Sequence, residues 1–234
     1  MAEFNNSIFV NSCVISRQGC LCFEKLSAEE NALVEGNMTE LTYKKGEIIT
    51  KQGTIAPHVV FLVKGLVKAY IEGLTGNLIL KIISANKFVS LSSAMEGNTI
   101  FHYSTAAYVD CQVRLIDVNI FRHLMTTNAA FASEVFNVQS SSSVQIYGRF
   151  FCLTQKQSYG RLADILLCLA DNVFGSNAFE LELSRKEIAE LSGMTTESVV
   201  RIIKKFKEEN LIRTQGKVIE IVDYEKLRMI SITG

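Results

Sequence analysis

Glu197 and Arg201, four residues apart, are the side chains in this sequence best equipped for chemistry. On a helix that spacing places both on one face. A guanidinium offers two parallel donors matching O6 and N7 of guanine, and a carboxylate accepts from N4 of cytosine, so the pair can read base edges. The same spacing also describes a solvated intrahelical ion pair worth about 0.2–0.5 kcal/mol. The surrounding residues decide between the two. Ser184 followed by Glu187 has the capping-box pattern that starts a helix, with Ile188, Ala189 and Leu191 as its apolar side. Gly193 permits a tight turn, and Thr195 or Thr196 caps a second helix. There Val199, Ile202, Ile203 and Phe206 point inward, while Thr196, Glu197, Val200, Arg201 and Lys204 point outward. A hairpin over RTQGKVIEIV follows at once, placing Lys217 where a wing touches phosphates. Two short helices, a glycine turn and a wing predict a helix-turn-helix, with Ser184 and Lys217 beside the outward residues as DNA contacts.

The second group able to do chemistry is sulfur. Cys13, Cys20 and Cys22 crowd the segment SCVISRQGCLCFEKLS, and Cys111 follows on a later strand. MAEFNNSIF has neither the basic nor the apolar region of a signal peptide, which places the chain in the cytoplasm and argues against a disulfide scaffold. Free thiols, metal ligation and redox chemistry stay open, with Cys152 and Cys168 expected as buried thiols. His58, His102 and His123 are the chain's three histidines; haem ligation is one role for them and ordinary hydrogen bonding the simpler one. No nucleophile with a neighbouring base, phosphate-cradling glycine loop or complete metal motif is present, so the sequence does not read as an enzyme.

These groups need positioning elements. Between about Glu40 and Val118, short runs such as VVFLVKG, LVKAYIEG and LILKII alternate with glycine turns, the texture of an all-β barrel or sandwich. Pro57 falls in a loop before a strand. From about Asn119 the period becomes helical: Phe131, Val135, Val138, Ser142, Ile146, Phe150 and Leu153 recur at threes and fours, predicting a helix roughly 25 residues long. A seam of this kind suits a partner helix in a symmetric dimer, although packing on the chain's own barrel produces the same period. A further helix is expected from about Ser158 to Asn172, with Leu162, Ile165, Leu166, Leu169 and Val173 inward.

The 234 residues allow two modest domains, and no apolar run approaches the roughly 18 residues of a membrane-spanning helix. Net charge is zero, which excludes binding to nucleic acid by bulk electrostatics alone. Locally, Ser184 to Lys217 carries eight basic side chains (Arg185, Lys186, Arg201, Lys204, Lys205, Lys207, Arg213, Lys217) against five acidic ones (Glu187, Glu190, Glu197, Glu208, Glu209), an excess of three.

In three places, in order, the chain resembles the catabolite-activator and fumarate-nitrate-reductase (CRP/FNR) regulators. KKGEIITKQGTIAPHVVFLVKGLVKAYIEGLTGNLILKI is similar to the family's opening barrel strands, including Gly46, Gly53, Gly65 and Gly76. YGRLADILLCLA resembles the first helix after the hinge, and ESVVRIIKKFKEENLI resembles the recognition helix. The resemblance implies an α+β fold: a cyclic-nucleotide-binding-like β-barrel (jelly roll) over 1–125, a dimerisation helix over 126–155 and a winged helix-turn-helix over 156–234. It implies a homodimer on double-stranded DNA, a TGA core read by Glu197 and Arg201, contact with RNA polymerase, and no membrane association. The alternative class, a ligand-binding module acting through protein partners, requires a vestigial helix-turn-helix, against which the intact caps and exposed pair stand.

Cyclic-nucleotide-binding members hold the ribose with a glycine and a glutamate, and the phosphate with an arginine and a serine. The corresponding stretch here is FVSLSSAMEGNTIFHYSTAAYVDC, with Leu91 at the glutamate and Phe101 or His102 near the arginine. Not one Lys or Arg lies between Phe88 and Cys111, so cyclic AMP is not the expected effector. Iron-sulfur members carry a cysteine cluster before the barrel, and Cys13, Cys20 and Cys22 lie in that place. Their spacing differs, and the fourth ligand position falls at Arg114, three residues from Cys111 and so on the opposite face. Cluster, redox thiol or other metal site, and structural sulfur remain the alternatives, and the effector is unknown.

Overall fold

The computed structural model describes residues 19–234 apart from 75, 96 and 182. These residues divide into two compact units, one ending at Ser143 and the other covering Val144–Gly234.

In the first unit α1 (Ala28–Gly36) opens with a capping box between Ser27 and Glu30. Eight strands follow: β1 (Met38–Tyr43), β2 (Ile48–Thr50), β3 (His58–Lys64), β4 (Leu66–Gly73), β5 (Gly76–Ser84), β6 (Lys87–Phe88), β7 (Ser104–Ala107) and β8 (Cys111–Asp117). They form two antiparallel sheets, ordered β1-β8-β3-β6 and β2-β7-β4-β5. The expected barrel is therefore a two-sheet jelly roll that does not close.

The run VVFLV reads as continuously apolar because β3 is buried on both faces. Val60 and Leu62 face the layer between the sheets, with Val67 and Ala69 of β4, Ile83 of β5, Ala107 of β7 and Val113 of β8. Val59 and Phe61 face the other way, into a cluster closed by Val34, Phe121, Leu124, Phe131 and Val135. Phe23, Phe61, Phe88, Phe121 and Phe131 meet there edge-on or tilted, with centroids from 5.2 Å apart. Burying each such ring contributes roughly 1.5–3 kcal/mol. The β3–β4 turn requires glycine, since Gly65 has φ +106 and a Cβ there would lie 2.5 Å from Cys111 Cβ.

After β8, Asp117 caps α2 (Val118–Thr127) and α3 (Ala129–Gln155) follows. The long helix is thus 27 residues, beginning after the break at Asn128. Its seam is not one surface. Phe131 and Val135 are buried in the chain's own core, Val138 packs against them, and the Ser142 hydroxyl accepts from Lys81 of β5 at 2.7 Å. These expected dimer contacts belong to the first unit itself. The large apolar side chains that α3 leaves exposed are Phe136 (70%), Val144, Ile146, Tyr147 (70%) and Phe150 (69%). Helix geometry puts their face roughly a third of a turn from the Phe131–Val135 face.

The second unit contains α4 (Ser158–Leu169), β9 (Ala178–Glu180), α5 (Arg185–Ser192), α6 (Thr196–Glu208), β10 (Ile212–Gln215), β11 (Val218–Ile221) and α7 (Tyr224–Thr233). The helix expected to reach Asn172 leaves α geometry after Leu169 and finishes in a wider turn, Ala170–Phe174, ended by Gly175 in the left-handed region. Strands β10, β11 and β9 make a small antiparallel sheet, and α7 packs on α4 where Gly160 approaches the backbone of Gly234.

Candidate nucleic-acid interface

Local chemistry fixes the two short helices. The Ser184 hydroxyl accepts from Glu187 N while the Glu187 carboxylate accepts from Ser184 N at 2.7 Å, satisfying two otherwise orphaned amides of α5. Gly193 ends α5 with φ +61 and ψ 43, and a Cβ there would fall 2.9 Å from Leu153 Cδ2. Thr195 caps α6 by accepting from Ser198 N. Val199, Ile202, Ile203 and Phe206 are buried beneath α6, as the spacing predicts. This burial locks the rotation of the helix and hence the direction of its other side.

That other side presents Glu197, Val200, Arg201 and Lys204 to solvent, with Thr196 partly covered at its start. Among the described residues no ion pair joins Glu197 to Arg201; Lys204 instead approaches Glu208 at 3.7 Å in an exposed pair. The Glu197 carboxyl is held below the usual carboxylate range, first by its own backbone N–H in the open first turn of α6, then by the Thr195 hydroxyl. At neutral pH the face therefore offers a carboxylate acceptor and a guanidinium donor. In the wing, Gln215 pairs with Val218, leaving Gly216 (φ +58) and exposed Lys217 at the tip. Arg213, opposite Glu220 across β10–β11, lies 3.7 Å from it.

Sequence reasoning missed the neighbouring surface. An open cleft of about 620 Å³ beside α6 is lined by Gln157, Ser158, Tyr159, Arg161, Arg201 and Lys205. Three cations and the first turn of α4 converge there. Arg161 donates to Gly193 O and Ser158 Oγ, both at 3.3 Å. Tyr159 stacks edge-on against Phe206, donates to Glu209 Oε2 at 2.6 Å and carries Lys205 over its ring. Helix N-termini and clustered cations suit phosphate oxygens. The available signal was the basic YGR and KKFK spacing, whose convergence is tertiary.

Among the described residues Cys111 lies apart from the other cysteines of the expected sulfur site. Cys20 and Cys22 are joined to each other in a disulfide, with Cys22 fully buried against the aromatic cluster. Cys111 lies in the separate layer between the sheets, where burial pushes its thiol up. Cys13 lies outside the described residues. The redox reading stays open, while Cys168, expected as a buried thiol, is not free; Cys152 is a free buried thiol, pushed by burial to about 11. Arg114 on the opposite face of β8 pairs with Glu40 at 2.6 Å. His58, His102 and His123 sit on β3, a loop and α2, and no group of three ligating side chains forms among the described residues. After β6, Arg122 of α2 donates to the carbonyls of Ser93, Ala94, Met95 and Asn98, fixing that stretch against the helix.

Residues 40–128 match the family model of the cyclic nucleotide-binding domain, and residues 160–230 match that of the Crp-like helix-turn-helix domain. A jelly roll followed by a long helix and a winged helix-turn-helix defines a DNA-binding transcription regulator. The chain belongs to the CRP/FNR family. It is 26% identical over 204 residues to electron transport regulator A of Shewanella oneidensis, covering 80% of this chain and 76% of that protein. It is also 26% identical over 184 residues to the cAMP-activated global transcriptional regulator CRP of Salmonella typhimurium, covering 76% and 87%. Among solved structures, FixK2 from Bradyrhizobium japonicum superposes with a TM-score of 0.76 at 20% identity, over 84% of this chain and 98% of that one. Among the described residues no helix is long and apolar enough to cross a membrane.

Proposed function

We propose that the chain acts in the cytoplasm as a homodimer, reads an inverted repeat in double-stranded DNA through Glu197 and Arg201, and answers to an effector other than cyclic AMP. The observation that carries the dimer is the exposed stripe of α3. Phe136, Tyr147 and Phe150, each about seventy per cent exposed on one helix face, are unusual on a monomer and suit a second copy of the same helix. Two recognition helices related by a two-fold axis then require half-sites about one helical turn apart. Thr196, Val200, Lys204 and Ser184 flank the base readers, and Lys217 and the Arg161–Lys205 cleft hold phosphates. From DNA the regulator contacts RNA polymerase, as the family resemblance implies. Titration of the purified chain into a duplex carrying its repeat should saturate at two chains per duplex; saturation at one contradicts the proposal.

A redox-sensing variant of this function is favoured by the Cys20–Cys22 disulfide, whereas an iron-sulfur cluster requires those sulfurs as thiolates. It predicts that dithiothreitol, by reducing the disulfide to two thiols, changes DNA affinity in wild type and not in Cys20→Ser. Equal affinities with and without reductant exclude it.

A further inference from the structure

At about 620 Å³ the cleft beside α6 lies within the roughly 300–1,000 Å³ range of small-molecule sites. Its lining holds Arg161, Arg201 and Lys205 and not one carboxylate. Glu209 offsets Lys205 in part, at 3.8 Å, and also accepts from Tyr159. Among the described residues Arg161 and Arg201 have no carboxylate partner. The Arg161 guanidinium is loosely held: its bonds to Gly193 O and Ser158 Oγ are both long, at 3.3 Å, and both end on uncharged acceptors. Its Nε is buried and has no hydrogen-bond partner among the described residues. An orphaned donor on a charged group is costly, and it calls for something that completes the bonding. The first turn of α4 adds open amides, since its N-cap Gln157 makes no side-chain bond to them. A duplex phosphate carries a single negative charge at a place fixed by the backbone path, so contacts to it are made one cation at a time. Three cations around one concavity match a ligand that carries several charges on a short chain.

We propose that this cleft binds the di- or triphosphate group of a free small molecule, and that this ligand competes with DNA. The inference rests on the regulator function above and supplies a means of switching it off. On binding, Arg161 exchanges two long bonds to neutral atoms for charge-assisted ones to phosphate oxygens, which its planar fork matches. Arg201 both lines the cleft and faces the DNA, so a ligand that takes its donors removes the base reader in the same step. Lys205, one turn further along α6, supplies the third charge. The ring of Tyr159 is already covered by the Lys205 ammonium at 4.7 Å, so that face offers no platform for stacking a base. Recognition therefore rests on the phosphate chain, whether inorganic or carried by a nucleoside.

Thermal-shift titrations of the full-length chain with inorganic tripolyphosphate, ATP and orthophosphate test the assignment, without magnesium and with ionic strength held constant by sodium chloride. A triphosphate at about ten times its dissociation constant should raise the melting temperature by roughly 3 °C. At that concentration it should also weaken binding to a duplex carrying the chain's repeat by roughly tenfold or more. Equal responses to tripolyphosphate and ATP support recognition of the phosphate chain alone, and a response to ATP only supports a site that takes the nucleoside as well. Arg161→Gln and Arg201→Gln should each lose most of the shift; Arg201 is exposed, so its replacement leaves the fold intact. Lys226→Gln, which removes an equal charge from the exposed side of α7, should keep it. No response to either triphosphate overturns the proposal, as does a full response in both arginine variants. An equal loss in Lys226→Gln overturns it too, because the effect is then one of bulk charge. So does an orthophosphate response matching that of the triphosphates, since the cleft then takes single anions as a duplex presents them. Selection of a repeat by the wild-type chain needs no free phosphate, so failure here leaves the DNA reading standing. A thermal shift with no repeat recovered instead leaves a polyphosphate site without the DNA reading it competes with.

Discussion

Arg201 and Glu197 share a helix face but differ in what their surroundings ask of them. The guanidinium fork fixes its own geometry against guanine, and nearby phosphates attract it. Glu197 must hold a negative charge close to those phosphates, which the open first turn of α6 makes easier by keeping it ionised. Lys217 at the wing tip is the contrast, a point charge without base-reading geometry. Lys217→Ala should weaken binding to all duplexes about equally and lower the slope of log affinity against log salt by roughly one unit, measured by binding isotherms at several salt concentrations. Sequence-dependent losses would make Lys217 a base reader. In the sensor, the lack of Lys and Arg between Phe88 and Cys111 leaves a cyclic phosphate short of the partners its relatives supply, and Arg122 is already engaged by four carbonyls. Millimolar cyclic AMP should leave both the melting temperature and DNA affinity of this chain unchanged; a shift at micromolar concentration contradicts that.

At the scale of elements, local rules were legible and tertiary ones were not. Ser184, Glu187, Gly193 and Thr195 announce their caps and turn by residue type, and the structure places each in that role. Gly193 is the most demanding, since its left-handed backbone penalises any side chain and Leu153 occupies the space of a Cβ. Gly193→Ala should therefore cost about 1–2 kcal/mol, read as a lower urea midpoint; an unchanged midpoint would show the turn to be tolerant. The α3 seam was read as one stripe because threes and fours recur on any face of a helix. Phe131 and Val135 serve the jelly roll, Phe136 and Tyr147 do not, and only the position of the sheet tells them apart. Likewise β9 and α7 are short and carry weak patterns, and their pairing with β11 and α4 fixes them. Cys20 and Cys22 are two residues apart and their types suit redox chemistry, but only the fold shows them joined to each other.

The whole molecule joins a ligand-binding type of jelly roll to a DNA-reading head through one helix, and its proposed symmetry makes the two ends of that helix behave differently under substitution. Tyr147→Glu with Phe150→Glu should leave the chain folded and monomeric, because like charges then face each other across the two-fold axis. Val138→Glu should instead lower the melting temperature, since Val138 packs against the first unit's own core. Sedimentation and circular dichroism distinguish these outcomes, and a folded double mutant that remains dimeric puts the interface elsewhere. The central claim is sequence-specific reading by the exposed face of α6. Its most direct test is selection from random duplexes, run side by side with wild type and Arg201→Ala. Wild type should recover an inverted repeat with half-sites about one helical turn apart. The variant should bind about 1–3 kcal/mol more weakly per half-site and lose its preference for guanine at one position only. Recovery of no repeat by wild type, or an unchanged guanine preference in Arg201→Ala, would contradict the assignment.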